Sequence, residues 1–197
     1  MSDYNEDFYL QPDIMLHLYS EGAFPMTDDK GIIQWYFPSV RAIIPINNYN
    51  IPKSLRKYLS TSDFSYKIDC DFLSVVRNCA NRETTWINQK LIDAYRNLWD
   101  LGFIHTVEVY QHDDLVGGLY GISIGGVFFG ESMFSKVPQA SKAAFAHLLK
   151  YLEKQKFLFV DVQIMTEHLK MFGAIEVSLE LFQNMLEEAY SEKYRFT

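Results

Sequence analysis

The 197-residue sequence predicts an α/β (α+β) fold in which helices cover a central, mainly antiparallel sheet. Three observations lead to this prediction. Apolar residues recur at helical spacing in segments before residue 102 and after residue 140. Three strand-like segments follow one another between residues 106 and 134, and their short connections suit antiparallel neighbours. A further apolar segment at residues 157–163 lies between two helical ones.

The first 61 residues are expected to form a small N-terminal domain. A short helix over residues 13–20 ends near Gly22, because glycine readily terminates a helix. Residues 35–45 are interrupted by prolines and predict extended or irregular structure. Pro52 then opens a helix, KSLRKYL, since proline is favoured in the first turn. The pattern loosens near residue 62, so we divide the chain into domains 1–61 and 62–197.

The second domain begins with two amphipathic helices, and Gly102 ends the second of them. Ser141 is expected to cap a later helix whose apolar residues form one stripe. The predicted elements of this domain are helices at 71–81, 91–101, 141–155, from 166 and at 179–190, and strands at 106–110, 115–124, 127–134 and 158–163.

This order of elements matches the architecture of acyl-transferring enzymes of the N-acetyltransferase type. In those enzymes the phosphates of coenzyme A sit on a glycine loop that opens the helix after the third strand of the meander. Here that loop is SKVPQA at Ser135 to Ala140, which has no glycine and offers few close backbone amides. Coenzyme A is therefore a poor candidate for a donor, and no cofactor is predicted.

Composition and charge exclude several classes of protein. The net charge of −7 argues against a strongly electrostatic nucleic-acid binder, and no apolar run approaches the roughly 18 residues of a membrane span. The acidic N-terminus is unlike a signal peptide. Cys70 and Cys79 are expected to be reduced thiols, and no other metal-binding side chains lie near them in a metal-site spacing, so a cytoplasmic protein without a metal site is predicted.

Four basic residues gather in one short region of the sequence. They indicate a basic patch or, equally, a solvated surface, and they are Arg41, Lys53, Arg56 and Lys57.

Three polar residues interrupt apolar strands. Glu131 ends the strand that follows the Gly125-Gly126 turn, and Asp161 precedes Gln163 by two residues in a later strand. Residues i and i+2 of a strand share a face, so Asp161 and Gln163 are predicted to point together toward whatever Glu131 faces. Such groups cost free energy unless they are paired or used. We interpret them as a functional site.

Motifs throughout the chain point to one family. The sequence resembles the bacterial leucyl/phenylalanyl-tRNA–protein transferases. The matching motifs, in order, are YSEGAFPM (19–26), WYFPSVR (35–41), PKSLRK (52–57), TWIN (85–88), HTVE (105–108), LVGGLYG (115–121), FFGESMFS (128–135), ASK (140–142), DVQ (161–163) and HLKMFGA (168–174).

The resemblance implies an aminoacyltransferase. Such an enzyme takes leucine or phenylalanine, with methionine tolerated, from a charged tRNA and joins it to the N-terminal arginine or lysine of a protein. The addition marks that protein for degradation. The resemblance also implies a small N-terminal domain before an acetyltransferase-like domain, and a monomer.

The resemblance further implies roles for single residues. Asp161 would polarise Gln163, Gln163 would orient or deprotonate the attacking amine, and Glu131 would position an amino group. A different account leaves the proton transfer to the ribose of the tRNA, and the sequence does not choose between the two. The resemblance places Met26, Trp86, Leu119 and Phe128 around the aminoacyl end, and Tyr19 and Tyr95 near the terminal adenosine. Contacts to the tRNA backbone are expected for Arg41, Lys53, Arg56 and Lys57, although surface solvation explains these residues almost as well. Without the resemblance, Trp86, Leu119 and Phe128 are more simply core residues.

Two positions depart from the family pattern. Asn50 stands where a histidine usually precedes the PKSLRK-like helix, and Val177-Ser178-Leu179 replaces an Ile-Pro-Arg triplet. Two other functions stay open at this point. One is a small-molecule N-acyltransferase that uses coenzyme A, which the glycine-free loop opposes. The other is a non-catalytic module that binds tRNA or a protein N-terminus, which the intact Asp161 and Gln163 oppose.

Overall fold

A computed structural model describes residues 5–28, 30–191 and 194–196. The helices are α1 (Glu6–Tyr9), α2 (Pro12–Ser20), α3 (Lys53–Leu59), α4 (Phe72–Ala80), α5 (Gln89–Asp100), α6 (Ala140–Lys154), α7 (Glu167–Lys170) and α8 (Leu179–Tyr190). The strands are β1 (Phe24–Thr27), β2 (Ile33–Tyr36), β3 (Val40–Pro45), β4 (Phe64–Ile68), β5 (Ile104–Gln111), β6 (Asp114–Ile124), β7 (Val127–Ser135), β8 (Phe159–Gln163) and β9 (Ile175–Ser178). Among these described helices, none has the length and apolar character needed to cross a membrane.

Seven strands form the main sheet in the order β4-β5-β6-β7-β8-β3-β9, and β1 and β2 form a separate hairpin. Every neighbouring pair of the main sheet is antiparallel except β7 and β8, which are parallel. A parallel pair needs a crossover connection, and α6 supplies it. The predicted mixed fold with a mainly antiparallel sheet is confirmed.

Strand β3 lies inside the main sheet, between β8 and β9. It precedes residue 62, so the predicted N-terminal domain contributes a strand to the sheet of the second domain. Ala42, Ile43 and Ile44 are buried, which explains why this strand lacks the polar alternation of a solvated one. The division at residue 61 stays a prediction, and the place of β3 favours an earlier boundary, between β2 and β3.

Apolar residues are packed on both faces of the sheet. On one face the buried residues come from α2, α4, α5 and α8, and on the other from α3, α6 and the chain near Phe196. The predicted apolar stripe of α6 is confirmed, since residues 144, 145, 148, 149 and 152 are all buried. The start of α6 approaches β6 very closely. A Cβ added at Gly117 would lie 2.6 Å from the Cβ of Ala140, so only glycine fits there.

The prediction that Ser141 caps α6 is wrong. The helix already includes Ala140, and Gln139 precedes it with a left-handed backbone at φ 68°. The backbone N–H of Ser141 donates to Oγ of Ser135, 3.1 Å away, so the capping oxygen comes from the end of β7. Strands β4 and β9, which flank the sheet, are additional to those predicted.

Candidate active site

A cavity of about 240 Å³ opens where β7 and β8 cease to pair. Their parallel pairing ends at Phe129 and Asp161, although β7 continues to Ser135. The residues beyond the last pair line the cavity: Gly130 and Glu131 on β7, and Val162 and Gln163 on β8. The rest of the lining is supplied by Arg82, Trp86, Leu119, Tyr120, Phe128, Ser132, Met133, Phe145, Leu148, Ile164, Thr166 and Leu169.

Two tyrosine hydroxyls hold the carboxylate of Glu131. Tyr19 on α2 donates to Oε1 over 3.0 Å, and Tyr95 on α5 donates to Oε2 over 2.6 Å. Both tyrosines are completely buried. Burial raises the pKa of Glu131 from 4.5 to about 7, while the two hydroxyl donors oppose this rise. The carboxylate is therefore poised to gain or lose a proton near neutral pH.

Asp161 is occupied by a buried ion pair with Arg41. Nε of Arg41 donates to Oδ1 over 2.8 Å and Nη2 donates to Oδ2 over 2.5 Å, and both side chains are 0% exposed. Nη1 donates to the carbonyl of Gly22, and the guanidinium lies between the rings of Phe24 and Phe182. The prediction that Arg41 contacts the tRNA backbone is wrong, because the fold encloses its side chain.

Gln163 reaches the cavity through an unusual backbone conformation. Its φ is +57°, a left-handed value that costs a non-glycine residue of order 1–2 kcal/mol. Its backbone N–H donates to Oδ1 of Asp161 over 3.0 Å, which stabilises this turn of the chain. The prediction that Asp161 and Gln163 aim together into the site is wrong, because only Gln163 lines the cavity. Asp161 contacts the backbone of Gln163 and not, among the hydrogen bonds of the described residues, its side-chain amide.

The structure separates the six residues expected to contact the donor into two groups. Trp86, Leu119 and Phe128 line the cavity, and the carbonyl of Trp86 accepts a hydrogen bond from Oγ1 of Thr27 on β1. Met26, Tyr19 and Tyr95 do not line it. The two tyrosines support Glu131 instead, and a direct contact between them and the adenosine stays a prediction.

The sequence does not identify several of the other lining residues. Phe145 and Leu148 belong to the stripe of α6, and periodicity identifies that stripe as buried without saying that part of it faces a cavity. Arg82 and Tyr120 also line the cavity, although no pattern in the sequence distinguishes them.

Three predicted tRNA contacts, Lys53, Arg56 and Lys57, are exposed on α3. Arg56 lies beside a groove of about 390 Å³ between α3 and α6, which is larger than the cavity but has no acidic side chain in its lining. These contacts stay a prediction.

The start of α6 has little to offer a pyrophosphate. The N–H groups of Ala140 and Ser141 already donate to the carbonyl of Val137 and to Oγ of Ser135. The close packing of Gly117 against Ala140 leaves no room for a ligand between them.

Among the described residues, no three His, Cys, Asp or Glu side chains are grouped as metal ligands.

Both departures from the family pattern have local structural roles. Nδ2 of Asn50 donates to the carbonyl of Met171 over 2.7 Å, which ties α3 to the end of α7. Oγ of Ser178 accepts from the N–H of Leu181 and caps α8, and Val177 is buried in β9. Neither position lines the cavity.

Comparison with known proteins identifies the family to which this chain is similar. A model of the leucyl/phenylalanyl-tRNA protein transferase family matches residues 43–187, and the model of its N-terminal domain matches residues 9–39. The leucyl/phenylalanyl-tRNA–protein transferase of Salinibacter ruber is 43% identical over 90% of this chain and 79% of its own. Those of Paramagnetospirillum magneticum and a Ruegeria species are 43% and 42% identical, each over 93% of this chain and over 90% and 88% of their own. Among solved structures, L-PGS from Bacillus licheniformis is similar with a TM-score of 0.48 and 10% identity, over 79% of this chain and 66% of that one.

Proposed function

Because this chain belongs to the leucyl/phenylalanyl-tRNA protein transferase family, we propose that it transfers leucine or phenylalanine from a charged tRNA to the N-terminal arginine or lysine of acceptor proteins. The addition marks those proteins for degradation. The observation that carries the proposal is the apolar cavity that holds Glu131 and Gln163 where β7 and β8 separate. The apolar walls of the cavity suit the side chain of the donor amino acid, and the side chains of Glu131 and Gln163 suit the reacting ester and amine.

The reaction is the aminolysis of an ester. The α-amine of the acceptor attacks the aminoacyl carbonyl, a C–N bond forms, and the C–O bond to the terminal ribose breaks. The amine loses a proton, and the ribose oxygen gains one. The enzyme must hold the amine neutral, oriented and close to the carbonyl.

Glu131 is suited to manage the proton of the amine. Its pKa of about 7 lies close to the roughly 7.7–8.0 of an α-amino group, so the carboxylate can take up a proton from an incoming ammonium. The amide of Gln163 can donate a hydrogen bond to the developing oxyanion or accept one from the amine. Asp161 acts indirectly, by anchoring the backbone of Gln163. Delivery of a proton to the leaving oxygen by the ribose itself is compatible with these roles.

The walls of the cavity set the donor preference. Trp86, Leu119, Phe128, Phe145 and Leu148 present apolar surface. An apolar pocket discriminates a single methylene by only about 1–3 kcal/mol, so methionine is expected to be tolerated.

Transfer can be tested directly. The protein is mixed with phenylalanyl-tRNA and a peptide that begins with arginine, and the peptide mass is followed. We expect a product heavier by one phenylalanine residue, and no product from a peptide whose N-terminus is acetylated. Failure to modify peptides that begin with arginine or lysine, with leucyl- and phenylalanyl-tRNA alike, would contradict the proposal. Action in the cytoplasm as a monomer stays a prediction.

A further inference from the structure

One cation lies at the cavity. Arg82, in the segment between α4 and α5, is the single basic side chain among the described residues of the lining, in a chain of net charge −7. It is exposed, whereas the aromatic and aliphatic walls are mostly buried. A guanidinium at the opening of an apolar cavity favours an anionic group at that point.

The guanidinium of Arg82 is fixed along one side and free along the other. Nη2 donates to Oγ of Ser132 over 3.1 Å and to the carbonyl of Met133. No described residue accepts a hydrogen bond from Nε or Nη1. The planar group is therefore held in place while donors remain for a ligand.

A second polar group of the lining is also unsatisfied. Tyr120 has a buried hydroxyl without a hydrogen-bond partner among the described residues. Burial and then the charge of Glu131 raise its pKa well above the usual value, while Arg82 opposes the rise, so the hydroxyl stays protonated. A buried hydroxyl left without a partner is unfavourable, and a ligand oxygen would satisfy it.

The position of Arg82 relative to Glu131 selects the anion. Ser132 and Met133 directly follow Glu131 in β7, so the guanidinium is anchored to the two residues next to Glu131, whose backbone positions lie about 3–7 Å further along the strand. With the donor ester beside Glu131 and Gln163, its amino-acid side chain occupies the apolar walls. The part of the donor that remains for the opening is the terminal nucleoside and its 5′ phosphate.

We propose, on the basis of the proposed function, that Arg82 binds the 5′ phosphate of the terminal nucleotide of the donor. The phosphate accepts from Nε and Nη1, and Nη2 keeps its bonds to β7. This contact fixes the depth to which the nucleotide enters and so places the ester beside Gln163. Arg82 is a donor-binding residue and takes no part in proton transfer.

Two small donors that differ by one phosphate test this assignment. They are 3′-O-phenylalanyl-adenosine and its 5′-monophosphate, each used with a peptide that begins with arginine. In the Arg82→Gln variant the amide can still donate to the carbonyl of Met133, while the charge is lost. We expect kcat/KM to fall about tenfold for the phosphorylated donor, mainly through KM, and less than twofold for the other.

Arg77→Gln is the matched control. Arg77 is an exposed arginine on α4 that does not line the cavity, so the same loss of charge should leave both donors unaffected. Arg82→Lys keeps the charge and should retain most of the preference for the phosphorylated donor. An equal loss with both donors in Arg82→Gln would overturn the assignment, since Arg82 would then act only through β7.

Failure of this proposal differs from failure of the proposed function. If the wild type transfers from no donor, charged tRNA included, the function is contradicted. If only charged tRNA is active, the salt dependence of its binding decides. Loss of one phosphate contact should lower the slope of log K against log salt by about one in Arg82→Gln, and an unchanged slope would overturn the assignment.

Discussion

Two carboxylates on adjacent strands are treated in opposite ways by this fold. Asp161 on β8 faces a full positive charge, is completely buried and does not line the cavity. Glu131 on β7 faces two neutral hydroxyls and lines the cavity. Both interrupt apolar strands, and the sequence alone presents them as equivalent.

The difference lies in what compensates each carboxylate for its lost hydration. A bidentate guanidinium gives Asp161 a permanent partner, and such a pair is well suited to hold backbone in place. Hydroxyl donors stabilise the charge of Glu131 only in part, so burial still raises its pKa to about 7. Asp161 therefore holds the backbone in place, whereas Glu131 is available to take up or release a proton.

The largest expected effect is on stability. Asp161→Ala leaves the guanidinium of Arg41 buried without a counter-charge, which should cost about 3–5 kcal/mol of unfolding free energy. Transfer should also be severely reduced, because Gln163 loses the acceptor that supports its left-handed backbone. Urea denaturation and peptide transfer measure the two effects. A cost below about 1 kcal/mol would show that the pair does not organise the fold.

A double variant separates these two consequences. Arg41→Met with Asp161→Leu removes both charges and replaces them with apolar side chains, which often restores stability. We expect most of the stability to return while transfer stays low. Wild-type transfer by this variant would contradict the anchoring role assigned to Asp161.

The sequence predicted the fold class and the residues of the site better than it predicted their contacts. The meander and the stripe of α6 follow from local periodicity, and both are present. The ion pair joins residues 120 positions apart, and no local pattern reports such a contact. Arg41 stands close in sequence to exposed lysines, and its position in the sequence does not distinguish it from them, although β3 places it in the main sheet with a buried side chain.

The orientation of Gln163 shows the same limit. Alternation along an ideal strand places Asp161 and Gln163 on one face, and this rule holds only while φ stays negative. The left-handed backbone at Gln163 breaks the alternation. Glutamine has no strong preference for a left-handed backbone, unlike glycine or asparagine, so the sequence gives no sign that the strand alternation ends at Gln163.

The next expected effect is on the rate of transfer. In Glu131→Gln one tyrosine hydroxyl can still donate to the amide oxygen and the other can accept from the amide nitrogen, but the group can no longer take a proton. We expect transfer to fall about hundredfold, as is usual when a general base is lost. The wild-type rate should rise through a pKa of about 7, and the variant should keep only the dependence of the acceptor amine. Variant activity equal to wild type would remove the chemical distinction between the two acids.

The stability of this same variant should depend on pH in a defined direction. The folded pKa of Glu131 is raised to about 7 from 4.5, so the folded state binds the extra proton between these values. The stability that this proton contributes is fully present below pH 4.5 and is lost as pH rises through 7. Glu131→Gln does not undergo this loss, so the unfolding free energy of the variant should increase relative to that of the wild type by about 3 kcal/mol between pH 4.5 and 8. A constant difference across that range would contradict the raised pKa.

The smallest expected effects come from the tyrosines that hold Glu131. Each donated hydrogen bond opposes the rise in the pKa of Glu131, so removing one should raise that pKa further. Tyr95→Phe should shift the pH profile of transfer to the alkaline side and lower the rate at pH 7 by about three- to tenfold. Tyr19→Phe should act in the same direction but less, because its bond is 3.0 Å long against 2.6 Å for Tyr95. If the pH profile of transfer is the same in both variants as in the wild type, the hydroxyls do not affect the pKa of Glu131. The chemical difference between Glu131 and Asp161 would then depend on burial alone.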